Sequence, residues 1–173
     1  MATLYHRILG EAFDTLPPVL QKFHDREGGG LATGVFSVMH AKGRLRGMLA
    51  RVGRLPDPGS AIPVRLRVVV EGPRERWIRE IGNRRLETVQ WIGQGLLIEA
   101  VGPFRCGFQV DASREGMRLR SVRGWFYALP LPPVLTPRVE AVVTAQGDAW
   151  HLRVRIELPL LGLLAGYEGE VTP

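Results

Sequence analysis

An alternation of apolar and charged side chains, beginning near Ile62, constrains the fold of this chain more than any other feature. Val64, Leu66 and Val68 are separated by single arginines. A period of two indicates an extended strand with one buried face and one face in solvent. Similar apolar or alternating segments predict further strands over residues 31–40, 76–81, 85–92, 96–101, 105–112, 117–127, 138–146 and 150–158.

The breaks between these segments are short and rich in turn-forming residues. Gly72-Pro73, Gly82-Asn83 and Gly147-Asp148 are typical examples. Such breaks leave no room for the helical crossovers that parallel strands require. The sequence therefore predicts an α+β, mainly β fold, in which an antiparallel β-meander forms a barrel or half-barrel with N-terminal helices packed on it.

The first 27 residues have a helical period instead. Apolar residues three and four positions apart predict an amphipathic helix over 3–13, and a second short helix is expected to begin at the proline pair Pro17-Pro18. We expect Leu9, Phe13, Leu20 and Phe23 to be buried against the sheet. We predict a single domain over residues 1–173, with a helical segment at 1–27 and a mainly antiparallel sheet over 31–171.

Composition limits the classes of protein that this chain can belong to. It has 173 residues and a net charge of +6, and Lys22 and Lys42 are its only lysines, so arginine supplies nearly all the positive charge. Cys106 is the single cysteine, which excludes an intramolecular disulfide and a cysteine-based metal site. Without a signal-peptide pattern or an apolar run of spanning length, we expect a cytoplasmic location, with peripheral membrane contact left open.

Motifs that carry chemistry are missing from the sequence. The histidines His6, His24, His40 and His151 have no metal-ligand spacing, and neither a nucleophile elbow nor a phosphate-binding loop occurs. We therefore assign no catalytic residues, no metal ligands and no cofactor. A nucleic-acid partner is disfavoured as well, because acidic residues interrupt every basic strand.

Two features favour contact with an anionic membrane surface. Segment 42–55 combines an apolar stripe with Arg44, Arg46 and Arg51, a pattern typical of a helix lying on a membrane, although a long β-hairpin is the alternative. The connections 127–135 and 158–164 are apolar, whereas connections are usually polar. We predict membrane contact through these arginines and through Leu131, unless the same segments seal the core or a partner interface.

The chain resembles a bacterial family known as domain of unknown function 4166. The resemblance rests on LYHRILG at residues 4–10, ERWIR at 75–79 and LPLLG at 158–162, and it covers nearly the whole chain. It implies a module that occurs alone or behind NAD(P)-binding oxidoreductases. The resemblance supplies no catalytic residues.

We therefore predict a non-catalytic binding domain for an apolar or amphipathic, lipid-like small molecule. Arg76, Trp77 and Arg79 are the candidate ligand-binding residues, because ERWIR places charge where a plain core strand would carry Val or Ile. The alternatives are an accessory domain or partner subunit of an NAD(P)-dependent oxidoreductase, or a protein-interaction module.

Overall fold

A computed structural model describes residues 2–43 and 56–173 of the chain. The interpretation of segment 42–55 as a helix or a hairpin falls almost entirely outside the described residues. The helices are α1 (Leu4–Leu9), a 3-10 helix (Gly10–Thr15) and α2 (Pro18–His24). The strands are β1 (Leu31–His40), β2 (Gly59–Glu71), β3 (Arg74–Ile81), β4 (Arg84–Gly93), β5 (Leu96–Val101), β6 (Phe104–Ala112), β7 (Gly116–Phe126), β8 (Leu129–Pro130), β9 (Arg138–Gln146), β10 (Ala149–Leu158) and β11 (Gly162–Thr172).

The strands form an antiparallel barrel that is closed. Each long strand pairs with the next long strand along the chain, and β1 pairs with β11, so ten of the strands in the described part complete the circle. The two-residue β8 adds to the end of β7. The predicted meander is confirmed, and closure removes the exposed edges that an open sheet would present.

The alternation in the sequence sorts side chains between the inside and the outside of the barrel. On β2, Val64, Leu66 and Val68 are buried, while Arg65 and Arg67 are exposed. The core contains the inward side chains of the strands together with the apolar faces of the N-terminal helices. This arrangement is the one that a period of two predicts for a sheet with one buried face.

The N-terminal helices insert side chains among the inward faces of the strands near one end of the barrel, here called the helix end. Phe13, Leu20 and Phe23 are buried as predicted, whereas Leu9 is half-buried. The ring of Phe23 lies 4.9 Å from that of Trp150, between ring centroids. The predicted first helix is shorter than 3–13, because it turns into a 3-10 helix at Gly10, whose φ is positive.

At the opposite end, called the mouth end, several connections come together. It carries the connections 127–128, 131–137 and 159–161 between strands, and Gly43 and Pro56, which flank the undescribed segment, lie at the same end of β1 and β2. Thus the apolar connections singled out in the sequence belong to one end of the barrel.

Strand β11 is absent from the strands predicted by alternation. Its sequence contains three glycines, Gly162, Gly166 and Gly169, a residue type that weakens strand patterns. Gly169 shows why the glycines are needed there: a β-carbon would stand 2.7 Å from the ring of Phe36 and would collide with the backbone carbonyl of Val35. The glycines that allow β11 to pack closely against β1 also interrupt the alternating pattern. This strand was therefore not predicted from a period of two.

Candidate functional site

The interior of the barrel contains two neighbouring cavities of about 130 Å³ each. The cavity at the helix end is lined mainly by apolar and aromatic side chains, and the second lies toward the mouth end, where Pro56 lines it. Six residues line both: Arg79, Glu99, Phe108, Val139, Val154 and Tyr167. An apolar cavity of about 150 Å³ is enough to bind benzene, and small-molecule pockets begin near 300 Å³, so the two together suit a small ligand.

A polar cluster lies where the two cavities meet. The Nη2 of Arg79 (β3) donates to Oε1 of Glu99 (β5) at 3.0 Å, and its Nη1 donates to the hydroxyl of Thr88 (β4) at 2.7 Å. The Thr88 hydroxyl donates in turn to Oε1 of Glu99 at 2.6 Å. The side chains of Arg79 and Glu99 are only 17% and 19% exposed, and both line the cavities. Three adjacent strands thus hold an ion pair inside the barrel.

Trp77 lies beside this cluster and connects it to the N-terminal helices. Its ring packs against the guanidinium of Arg79 at 5.2 Å, a cation–π contact. Its indole N–H donates to Glu75 at 3.0 Å, and Glu75 also accepts the backbone N–H of Leu4, at the start of α1. Burial raises the pKa of Glu75 to about 7, although these hydrogen bonds and the charge of Arg7 lower it. Trp77 and Glu75 therefore dock the first helix onto β3.

The other titratable groups of the interior are held in their uncharged forms. Burial lowers the pKa of His24 from its usual 6.5 to about 3, and the His24 ring lies 3.9 Å from that of Tyr5. Burial raises the pKa of the Cys106 thiol to about 12, and it also raises the pKa values of Tyr5 and Tyr167. Desolvation disfavours every charged form. Arg79 and Glu99 are therefore the charged groups that line the cavities in the described part.

Some polar atoms of the lining have no protein partner. The buried side chain of Gln90 accepts a hydrogen bond from the Tyr5 hydroxyl at 3.1 Å, but its amide nitrogen donates none within residues 2–43 and 56–173. In the same part of the chain, the Tyr167 hydroxyl and Oε2 of Glu99 make no hydrogen bond either. These atoms are not among the fully buried unpaired side-chain atoms of the described residues, which are Thr3 Oγ1 and His40 Nε2. They are therefore accessible from the cavity, where the polar part of a ligand could pair with them.

The structure separates the three candidate ligand-binding residues of ERWIR. Trp77 and Arg79 line the cavities. Arg76 lies on the other face of β3, where it forms ion pairs with Glu71 and Glu87 at 2.9 Å, so it is not part of the cavity lining. The reason is the strand period, which places residues 77 and 79 on the face opposite to 76.

The structure places the candidate membrane-contact residues as follows. Arg44, Arg46 and Arg51 lie outside the described residues. Leu131 is half-buried, and its Cδ1 lies 3.5 Å from where a β-carbon on Gly124 would stand. Four exposed apolar side chains lie in the segments 127–135 and 158–164: Tyr127 (64%), Leu129 (71%), Leu135 (53%) and Leu160 (71%).

Among residues 2–43 and 56–173, no group of three or more His, Cys, Asp or Glu side chains is placed to hold a metal ion. Within the same residues, no helix has both the length and the hydropathy needed to cross a membrane.

The geometry defines a class of protein, the closed up-and-down antiparallel β-barrel. The chain belongs to the family described as a domain of unknown function, DUF4166, whose family model matches residues 16–171. Comparison with curated proteins and with solved structures returned no significant match.

Proposed function

We propose that the barrel interior binds an apolar or amphipathic small molecule, lipid-like in its balance of apolar and polar parts, and that it does so without catalysing a reaction. One observation supports this proposal above the others: the cavities have apolar walls, yet Arg79, Thr88 and Glu99 converge between them. A barrel that needed only a stable core would gain little from a buried ion pair, because hydrophobic residues of similar volume are often as stable.

The size of the cavities suggests which probes to use. A short aliphatic alcohol or a single aromatic ring matches about 130 Å³, so 1-hexanol and toluene are suitable first probes. Saturable binding by calorimetry, accompanied by a change in the fluorescence of Trp77 and Trp150, which line the first cavity, is the expected result. Failure of every probe in such a series to bind saturably would contradict the proposal.

A matched pair of β9 variants tests whether the probes bind inside the barrel. Ala141 lines the first cavity, whereas Val142 is the next residue along the strand, where the period of two directs its side chain to the other face. Ala141→Leu should fill the cavity and abolish binding, while Val142→Leu should leave it unchanged. Circular dichroism shows whether both variants keep their fold. Equal binding by both variants would place the ligand outside the cavity.

A second candidate function is contact of the mouth end with a membrane surface. It is favoured by the exposure of Leu129, in β8, and Leu160, in the connection 159–161; each is 71% exposed, and both lie at the same end of the barrel. Apolar side chains in that position are suited to insertion among lipid headgroups. In this arrangement the mouth end would face the layer from which an apolar ligand could come.

Vesicle sedimentation tests the membrane proposal. Leu129→Ser and Leu160→Ser should weaken binding to vesicles, whereas Leu31→Ser, at the helix end of β1 and 52% exposed, should not. Replacing Arg44, Arg46 and Arg51 by Gln should weaken binding to vesicles that contain anionic lipid, and added salt should do the same. Equal binding by all variants, or none by the wild type, would exclude this function.

The alternatives carried by the family resemblance remain predictions. A partner oxidoreductase chain would be expected to bind NAD(P) itself, because the described residues form a single sheet without the parallel βαβ units of a dinucleotide-binding domain.

A further inference from the structure

We infer that the ligand carries an uncharged polar group, such as a hydroxyl, in the middle of the molecule with an apolar arm on either side. This inference rests on the proposed function, because it names the chemistry of the ligand that the same cavity would take. It follows from the charge of the cavity lining, from its unpartnered polar atoms and from the position of the polar cluster.

The charge of the lining disfavours an ionised ligand. Arg79 is already neutralised by Glu99 at 3.0 Å, and the histidine and thiol of the lining are uncharged. A carboxylate would bring a second negative charge beside Glu99 and would have to leave water without a free cation to pair with among the lining residues that the structure describes. An ammonium group would meet the same difficulty beside Arg79.

The unpartnered polar atoms suit a hydroxyl. Oε2 of Glu99 can only accept a hydrogen bond, the amide nitrogen of Gln90 can only donate, and the Tyr167 hydroxyl can do either. A hydroxyl both donates and accepts, so it can pair with Glu99 and with one of the donors at the same time. A purely apolar ligand would leave all of these atoms without a partner.

The polar cluster determines where that group lies along the ligand. Arg79, Glu99 and Tyr167 line both cavities, whereas Leu20 and Phe23 line only the one at the helix end. The lining of the second cavity includes Val101 and Ile156 instead. A polar group held by the cluster therefore has apolar space on two sides, which a molecule with a terminal polar group would fill on one side only.

Three probes of equal chain length test the inference on the wild-type protein: 5-nonanol, 1-nonanol and nonanoate, measured by calorimetry near neutral pH. We expect 5-nonanol to bind most tightly and nonanoate to bind weaker by about tenfold or more, since an unsatisfied buried group costs that much. If nonanoate binds as tightly as 5-nonanol, the inference that the polar group is uncharged is wrong. If 1-nonanol binds as tightly as 5-nonanol, the inference that this group lies in the middle of the ligand is wrong. If no probe binds, the proposed function itself fails.

A change of preference in a variant provides the second test. Glu99→Gln leaves the guanidinium of Arg79 without its counter-charge, so the affinity for nonanoate relative to that for 5-nonanol should rise by at least about tenfold. The double variant Arg79→Gln/Glu99→Gln removes both charges and should keep the wild-type order of probe affinities. It provides a test of the inference if the single variant does not fold. Arg76→Gln, on the outer face of the same strand, is the matched control. An unchanged preference in a folded Glu99→Gln variant would overturn the inference.

Discussion

Two arginines of β3 lie three residues apart and form ion pairs of nearly the same length in different surroundings. Arg79 meets Glu99 at 3.0 Å inside the barrel, and Arg76 meets Glu87 at 2.9 Å outside it. The Arg79 side chain is 17% exposed, whereas that of Arg76 is 40% exposed. The comparison shows that the distance between the charged atoms does not by itself determine how much an ion pair affects stability. The loss of unfolding free energy when one partner is removed depends on how strongly the pair is desolvated.

The largest effect is expected when the inner pair is broken. Arg79→Met leaves the carboxylate of Glu99 without a counter-charge in the cavity, and removing one partner of a buried pair typically costs about 3–5 kcal/mol. Urea unfolding monitored by circular dichroism measures the loss. Arg79→Met/Glu99→Leu should recover most of it, since both charges are then gone. A single variant as stable as the wild type would show that water, not protein, solvates Glu99.

The next effect concerns Glu75, whose side chain is directed inward beside Trp77. Its pKa is raised by burial from 4.5 to about 7, so the folded state binds the proton more tightly than the unfolded state does. Its contribution to stability is therefore fully present below about pH 4.5 and is lost as the pH rises through about 7, with a magnitude on the order of 3 kcal/mol.

Comparison with Glu75→Gln isolates that contribution. The difference in unfolding free energy between wild type and variant should change between pH 4.5 and 7 and level off beyond. His24 acts in the opposite direction, because its pKa is lowered to about 3 and its contribution is lost as the pH falls below 6.5, but it is present in both proteins and cancels. A difference that is constant with pH would mean that Glu75 keeps an ordinary pKa.

The smallest effect is expected when the outer ion pair is removed. Arg76→Ala should leave the unfolding midpoint within error of the wild type, since its ion pairs with Glu71 and Glu87 lie in solvent. High salt should make any residual difference smaller. A clear loss of stability would show that the outer network contributes as much as the inner pair, and the distinction between the two faces of β3 would disappear.

Much of the barrel could be predicted from the sequence, because alternation and turn residues are local signals. The strands between residues 62 and 158 follow from that period. β11 could not be predicted in the same way, since its glycines serve the close packing of Gly169 against Phe36. The change from α-helix to 3-10 helix at Gly10 could not be predicted either, because it depends on contacts with the barrel and not on the local sequence pattern.

The candidate site was predictable only in part. ERWIR indicated that charge enters a core strand, and strand parity alone would have separated Arg76 from Trp77 and Arg79. Glu99 and Tyr167 were not among the candidate ligand-binding residues, because they meet Arg79 only through the register of β3, β4 and β5 and through the curvature of the closed barrel. A glutamate in an otherwise apolar strand was the one available signal for Glu99.

The pairing of β1 with β11 has a consequence for how the protein is made. The other ladders of the barrel join consecutive long strands of the chain, so they can form during translation. The β1–β11 ladder joins Thr33 to Thr172, and until it forms the nascent sheet keeps two unprotected edges. A chain cut before Gly162 should therefore aggregate during synthesis instead of yielding a smaller barrel.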